Sequence, residues 1–381
     1  MITRRVPSLR DALAEVPEFR QAQGRRYELL PVLLLCCVAV MCGCRSQAAI
    51  AEWGCNYGER WLALLGIRRS RGPSQPTLHR IFRGLDCEKL EHAVTRWAEQ
   101  VLSSHRHRTG AVLEGIAMDG KTLCGSQQQG AEGAHLLSTL SHRLGVVLAQ
   151  VSVSDHTNEI SHSEELLQSV VLEGRVITAD ALLTQREMAR SIIDRGGDYL
   201  LAVKDNQPTL REDIALVFEH AHTLADTIRE ARSTDHHGGR ITERVLRTST
   251  ALSGYTDWPG HEQVLELRRT VTQKRSGKAR QEVAYAITSL SSERAGPGQL
   301  LKLWREHWHI ENKLHWVRDV TFDEDRSQVR AGRIPQVMAA LRNAAISLLR
   351  VCGAENIAAA CRRYAAQPAL ALTAIGLELR E

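Results

Sequence analysis

Apolar positions run without a charged residue from Leu29 to Cys44, LLPVLLLCCVAVMCGC, so no face of a helix built here could meet water. At 16 residues, with Pro31 near its start, the run is shorter than the roughly 20 apolar residues needed to cross a bilayer, and it predicts a buried core helix. Further on, Ile50, Trp53, Trp61, Leu62, Leu64 and Leu65 recur in helical groups. Arg68 to Pro76 is a basic Gly/Pro turn, followed by a short helix opened by Pro76 and Thr77. Residues 1 to about 105 are therefore predicted to form a helical domain. It ends at a polar break, SSHRHRTG, Ser103 to Gly110.

Beyond the break the pattern turns to strands. AVLEGIAMDG predicts an apolar strand ending at Asp119, followed by HLLSTLS and GVVLAQVSVS across the turn HRLG. A helix, HSEELLQSVV, leads to the buried strand RVITAD, which ends at Asp180. The helix TQREMARSIIDRGG, the strand DYLLAV and the helix PTLREDIALVFEHA come next. Three neighbouring strands, then helix, strand, helix, strand, helix, is the order of a ribonuclease H-like mixed sheet covered by helices, an α/β fold. From about 228 to 290 polar and apolar residues alternate, which predicts a β-rich insertion. Two long helices, GQLLKLWREHWHIENKLHWVRDV and IPQVMAALRNAAISLLRVC, complete a domain spanning 110–351, with 352–381 a helical tail.

Composition narrows the class only a little. The 381 residues are 43% apolar and 24% charged, as in ordinary folded proteins. A net charge of +5 leans toward a polyanionic partner. Nine cysteines without a C-x-x-C pair fit reduced thiols in the cytoplasm rather than a disulfide or zinc framework. The basic turn and short helix at 68–84 suit a helix-turn-helix DNA reader, or a basic loop between packing helices. QKRSGKAR, Gln273 to Arg280, and RSQVRAGR, Arg326 to Arg333, suit a DNA backbone, or solvated loops. DHHGG is read as a turn.

One motif invites a nucleotide reading: GIAMDGKT, Gly115 to Thr122, fits the P-loop pattern G-x-x-x-x-G-K-[ST] letter for letter. A phosphate cradle needs a bare loop through the middle and a helix starting at the lysine. Here Ile116, Ala117 and Met118 continue an apolar strand, and the glycine-rich LCGSQQQGAEGA follows. With the strand running into the motif, Asp119 stands at a strand end and Asp180 ends a neighbouring strand. Glu311 in HWHIENKLHW supplies a third carboxylate, and Asp319, Asp323, Glu324 and Asp325 are rivals for that place. Three carboxylates suit a pair of Mg²⁺ ions about 3.5 to 4 Å apart, with Mn²⁺ as a substitute.

Several stretches carry a family resemblance: AMDGKTL, TNEI, VITADALLTQREMARSI, GGDYLLAVKDNQPTL, HHGGRITER and HWHIENKLHWVRDVTFDEDRSQVRAG, with LRDALAEVPEFRQAQGRRYELLPVLLL near the amino end. In these the chain resembles, nearly end to end, the DDE transposases of bacterial insertion sequences, in the ISAs-type branch that includes the H-repeat-associated proteins. The resemblance implies a metal-binding triad of Asp119, Asp180 and Glu311. The family's signature is tyrosine, two residues, arginine, three residues, glutamate, six residues, lysine; this chain has Trp304, His307, Glu311 and Arg318 at those places. His307 and Arg318 keep the basic character and are expected to contact DNA phosphates, as are Lys121, Lys204, Arg326 and Arg330. Asn158, Glu159, Asn206, Gln207 and Asn312 also match positions near the site, with no role assigned.

The implied activity is Mg²⁺-dependent cleavage and strand transfer at terminal inverted repeats, by a homodimer on double-stranded DNA in the bacterial cytoplasm, with no membrane involved. An inactive or domesticated DNA-binding relative would share the fold. A P-loop ATPase using Lys121 and Asp180 is the remaining alternative.

Overall fold

A computed structural model describes residues 8–23, 25–109, 113–127, 133–153 and 159–377. Six helices open the chain: α1 (Leu9–Ala14), α2 (Leu29–Met41), α3 (Gln47–Asn56), α4 (Gly58–Leu64), α5 (Gln75–Gly84) and α6 (Cys87–Thr109). Strands β1 (Glu114–Thr122), β2 (His135–Ser141) and β3 (Val147–Val153) follow, then α7 (Glu159–Gln168), β4 (Arg175–Ala179), α8 (Arg186–Asp194), β5 (Asp198–Val203) and α9 (Pro208–Glu219). The long strands β6 (Ile228–His237), β7 (Arg240–Ser249), β8 (Gln263–Gln273) and β9 (Ala279–Thr288) precede α10 (Pro297–His307). After it the chain winds as π-helix over Glu311–His315 and Val317–Thr321, and ends in α11 (Ile334–Val351), α12 (Ile357–Ala366) and α13 (Pro368–Ala374).

These elements divide into two compact units: residues 1–111, 120–170 and 309–381 in the first, 112–119 and 171–308 in the second. In the first, α2 packs against α1, α3, α11, α12 and α13, which is why a helix without a polar face is stable there. Every residue of α2 except Leu30 is buried, Cys36 and Cys37 among them. The tail thus docks on α2 as core. β2 and β3 pair antiparallel, and α6 and α7 cover β3. Among the described residues no helix is long and apolar enough to cross a membrane.

The second unit is a mixed sheet in the order β1-β4-β5-β9-β8-β7-β6. β1, β4 and β5 are parallel and carry buried apolar runs, Ile116–Met118, Val176–Ile177 and Tyr199–Leu201, as strands covered on both faces do. β9 joins β5 antiparallel, so the insertion extends the sheet as a four-strand meander whose outer half alternates polar and apolar. Val176, Leu200, Leu246, Leu265 and Ala286 form a core with Leu300, Leu301 and Trp304 of α10. The parallel strands, covering helices and β-rich extension are the ribonuclease H-like arrangement expected from the order of elements.

The strand reading of the P-loop match holds, and two local expectations need correction. β1 runs through the whole P-loop match to Thr122, and a short 3₁₀ turn, Cys124–Ser126, follows. Neither an open loop nor a helix N-terminus is there to cradle phosphate, which removes the basis of the ATPase reading. Asp119 consequently lies within β1, three residues before its end. The single long helix expected over residues 298–320 is interrupted after His307 and continues as π-helix from Glu311.

The 3₁₀ turn presses on a second one at Glu324–Arg326. A Cβ on Gly125 would collide with the Ser327 carbonyl oxygen and stand 2.9 Å from those of Glu324 and Asp325. Backbone on that side cannot swing away as a side chain could. Gly125→Ala is expected to lower the unfolding free energy by about 1 to 3 kcal/mol, read from urea denaturation, whereas an unchanged midpoint would show that the two turns separate freely.

Candidate active site

Two carboxylates come from the sheet of the second unit. The parallel register of β1 and β4 ends at Met118 opposite Ala179, so Asp119 and Asp180 follow side by side on strands about 4.8 Å apart. Both are half-buried. One oxygen of Asp180 accepts the Leu183 N–H at 3.3 Å. The loop itself is braced from β5: the Thr184 hydroxyl donates to the Ala202 carbonyl at 2.6 Å, Asn206 Nδ2 to that of Ala181 at 2.5 Å, and Gln207 Nε2 to that of Thr184 at 3.0 Å. Asn206 and Gln207 thereby acquire the role the sequence left open, fixing the turn that follows Asp180. His307, at the end of α10, holds its Nδ1 3.1 Å from the Thr178 hydroxyl, two residues before Asp180 on β4. Lys204 is exposed just beyond β5.

Glu311 opens the π-helical stretch of the first unit, with its side chain 54% exposed. Its Oε2 lies 3.3 Å from Nδ1 of the buried His315, one turn on. The hydrogen bond from His315 holds the Glu311 carboxyl below its ordinary value against partial burial, and the positive charge of Lys121 adds to this. Burial pushes the His315 imidazolium down, with Glu311 opposing, so the ring is neutral at pH 7 and its Nδ1–H faces the carboxylate. His309 and Lys313 anchor the same stretch on the His142 carbonyl, at 3.0 and 3.3 Å.

Two expected phosphate contacts are engaged elsewhere. Lys121 Nζ stands 2.6 Å from Asp319 and 3.6 Å from Asp325, with its side chain only 10% exposed. The charge read as a DNA contact is neutralised within the protein. Arg318 is fully buried: its Nε donates to Glu324 Oε2 at 2.7 Å, while Arg342 donates to Glu324 Oε1 at 2.6 Å. No part of that guanidinium can meet a phosphate, so its expected DNA role is withdrawn. The same pairing takes Glu324 out of the contest for the third ligand, and Lys121 occupies Asp319 and Asp325. Arg326 and Arg330 remain exposed, and Lys274, Arg275 and Lys278 are exposed at the β8–β9 turn. Of DHHGG, read as a turn, Asp235–His237 end β6 and only Gly238 and Gly239 make the β6–β7 turn. Asn158 and the side chain of Glu159 lie outside the described residues.

The buried pairs extend into a polar network. Gln150 on β3 accepts from Asn343 at 2.8 Å and from Arg318 at 3.5 Å, and donates to Glu91 of α6 at 2.7 Å. Gln336 donates to both Glu91 oxygens, at 3.0 and 3.1 Å. Glu91 thus sits at the far end of the chain of bonds that secures the stretch after Glu311. Its partners are distant in sequence, and no spacing announces them.

The family described as "Transposase DDE domain" matches residues 110–348, and one described as "DDE_Tnp_1-associated" matches residues 10–98. The chain is 31% identical over 355 residues to "Putative transposase YncI" of Escherichia coli O157:H7, covering 91% of this chain and 88% of that protein. It is 28% identical over 359 residues to "H repeat-associated putative transposase YhhI" of Escherichia coli strain K12, covering 90% of each. Among solved structures it is similar to a chain of the cryo-EM piggyBac transposase synaptic complex with hairpin DNA, at a TM-score of 0.41 and 11% identity, over 98% of this chain and 78% of that one.

Glu91 gives the network a measurable signature. Burial raises its carboxyl from about 4.5 to about 7, against the opposing donors Gln150 and Gln336. The folded protein binds this proton more tightly than the unfolded chain. The group's stabilising contribution is therefore complete below pH 4.5 and is lost as pH rises through about 7, by roughly 3 kcal/mol. Urea denaturation from pH 4.5 to 8 is expected to show Glu91→Gln gaining on the wild type by that amount; a difference independent of pH would mean that Glu91 is ionised throughout.

Proposed function

The chain belongs to the DDE transposase family, and from that premise we propose that it binds the terminal inverted repeats of an insertion sequence, cleaves DNA strands there and joins the freed 3′ ends to target DNA. The observation that carries the reading is the side-by-side emergence of Asp119 and Asp180 from adjacent parallel strands, with the turn after Asp180 pinned by Asn206 and Gln207. We assign Glu311 as the third carboxylate, since Glu324 is sealed in a buried ion pair, Asp319 and Asp325 face Lys121, and Asp323 lies 3.8 Å from Arg326.

The donor chemistry fits a hard divalent cation. All three groups offer carboxylate oxygen, the ligand that Mg²⁺ and Mn²⁺ prefer, and the Glu311 carboxyl is held in its ionised form. Bound there, such ions would activate a water or 3′-hydroxyl and stabilise the leaving oxygen of an in-line displacement. The protein's own contribution is placement. β1 and β4 fix the spacing of the aspartates, Asn206 and Gln207 restrain the Asp180 turn, and His315 orients Glu311 through its Nδ1–H. His307, Lys204, Arg326 and Arg330 are the cations proposed to meet DNA phosphates. A transposase must hold two ends at once, so the working species on DNA is proposed to be a homodimer.

Strand cleavage of a duplex carrying the ends that flank this gene, with Mg²⁺ or Mn²⁺, tests the reading. Asp119→Asn, Asp180→Asn and Glu311→Gln are each expected to reduce nicking about a thousandfold or more, equivalent to several kcal/mol at the transition state. Wild-type protein that binds these ends without cutting them would instead establish a DNA-binding relative without catalysis. Cutting that survives Glu311→Gln alone would move the third ligand to another carboxylate.

A further inference from the structure

Residues 10–98 contain none of the proposed metal ligands, yet they hold an arginine-lined pocket. The cavity, about 590 Å³, is walled by the segment before α2 and by the turn after α4. Arg25, Arg26, Arg68 and Arg69 face it, with Glu28 as its one carboxylate. Arg25 reaches Glu18 at 3.7 Å, whereas Arg26, Arg68 and Arg69 have no carboxylate within salt-bridge distance among the described residues.

The two arginine-bearing segments are fastened together. The Tyr27 hydroxyl lies 3.2 Å from the Arg71 carbonyl and 3.1 Å from that of Gly72, so it can donate to either, and Arg69 stacks over the Tyr27 ring, 5.9 Å from its centre. Arg20 donates to the Tyr27 carbonyl at 2.8 Å and is held bidentate by Glu18, which also accepts the Leu29 N–H. On the other wall Gly66 turns at φ +89°, where a Cβ would stand 3.3 Å from Pro31. A residue with a side chain would be strained there and would crowd α2. The protein thus builds a fixed frame that gathers like charges, and like charges repel unless an anion lies between them.

We infer that this pocket is a DNA-backbone site, in which Arg25, Arg26, Arg68 and Arg69 grip phosphates without reading base sequence. The inference rests on the transposase reading, which supplies a polyanion as substrate. Guanidinium forks match phosphate oxygens bidentately, and four of them on two neighbouring segments suit successive phosphates rather than one small anion. The basic turn noted in the sequence then serves as a clamp, and the helix after it need not enter a groove.

The test measures binding of full-length protein to two fluorescent duplexes, one with the flanking ends and one of random sequence, across a salt series. For Arg25→Ala/Arg26→Ala/Arg68→Ala/Arg69→Ala the slope of log affinity against log salt is expected to become shallower by about 3 to 4 on both duplexes. The double variant Arg68→Ala/Arg69→Ala should show about half that change, and lysine at all four positions should keep most of the slope; circular dichroism controls for folding. Wild-type slopes in the alanine variants would overturn the inference and leave the transposase reading intact. Loss on the terminal-repeat duplex alone would also overturn it, because the arginines would then be reading sequence. Loss of binding to phosphatidylserine vesicles with DNA binding retained would assign the pocket to a membrane surface instead. If wild-type protein binds neither duplex, the transposase reading itself fails, and the inference falls with it.

Discussion

Arg318, Glu324 and Arg342 bury three charges beneath the π-helical stretch, and much of the first unit is arranged around that fact. Taking an ion out of water costs several kcal/mol, recovered only when geometry and hydrogen bonding are complete. Here each oxygen of Glu324 receives one guanidinium, and Arg342 spends a further N–H on the Arg45 carbonyl. Burial alone would push the Glu324 carboxyl up, yet the two arginines outweigh it and hold it below its ordinary value. An apolar trio of similar volume would be about as stable. What the charges add is a single permitted alignment: a slip of one residue in the stretch carrying Arg318 would take its Nε from Glu324 Oε2 and leave a buried guanidinium without its anion.

That alignment fixes Glu311, seven residues before Arg318. A π-helical turn is rare and frequently marks a functional site, and it shifts a side chain relative to regular helix. Such a turn needs support from outside itself. His142 holds it through His309 and Lys313, Lys121 holds it through Asp319, and the Arg318 network holds it from below. A metal ligand tolerates little looseness, and its supporting contacts are as much part of the site as the ligand.

What the sequence disclosed and what it concealed follow from the range of the interactions. The helix at Leu29–Met41, the parallel strands ending near Asp119 and Asp180 and the β-rich extension were legible, because burial on all sides, alternation and strand length leave local patterns. Arg318 was misread for the opposite reason. A basic residue at signature spacing suggests a phosphate contact, while Glu324, Arg342 and Gln150 around it stand 6, 24 and 168 positions away. Lys121 was misread likewise, since Asp319 lies 198 residues on. The candidate carboxylates were legible by residue type and resemblance; the roles of Asn206, Gln207 and His315 needed coordinates.

The proposed ligands are held by two unlike mechanisms. Asp119 and Asp180 take their spacing from backbone hydrogen bonds between β1 and β4, whose buried apolar residues include Ile116–Met118, Val176 and Ile177. Glu311 takes its position from side-chain charges, where a single missing partner strands the rest. The chain passes from the second unit to the first between Asp119 and Gly120, and again between Trp308 and His309. Asp119 and Glu311 therefore lie within two residues in sequence of those passages. Mutations in the sheet core and mutations in the ion network should accordingly disturb different ligands, and double substitutions drawn one from each set should add rather than compensate.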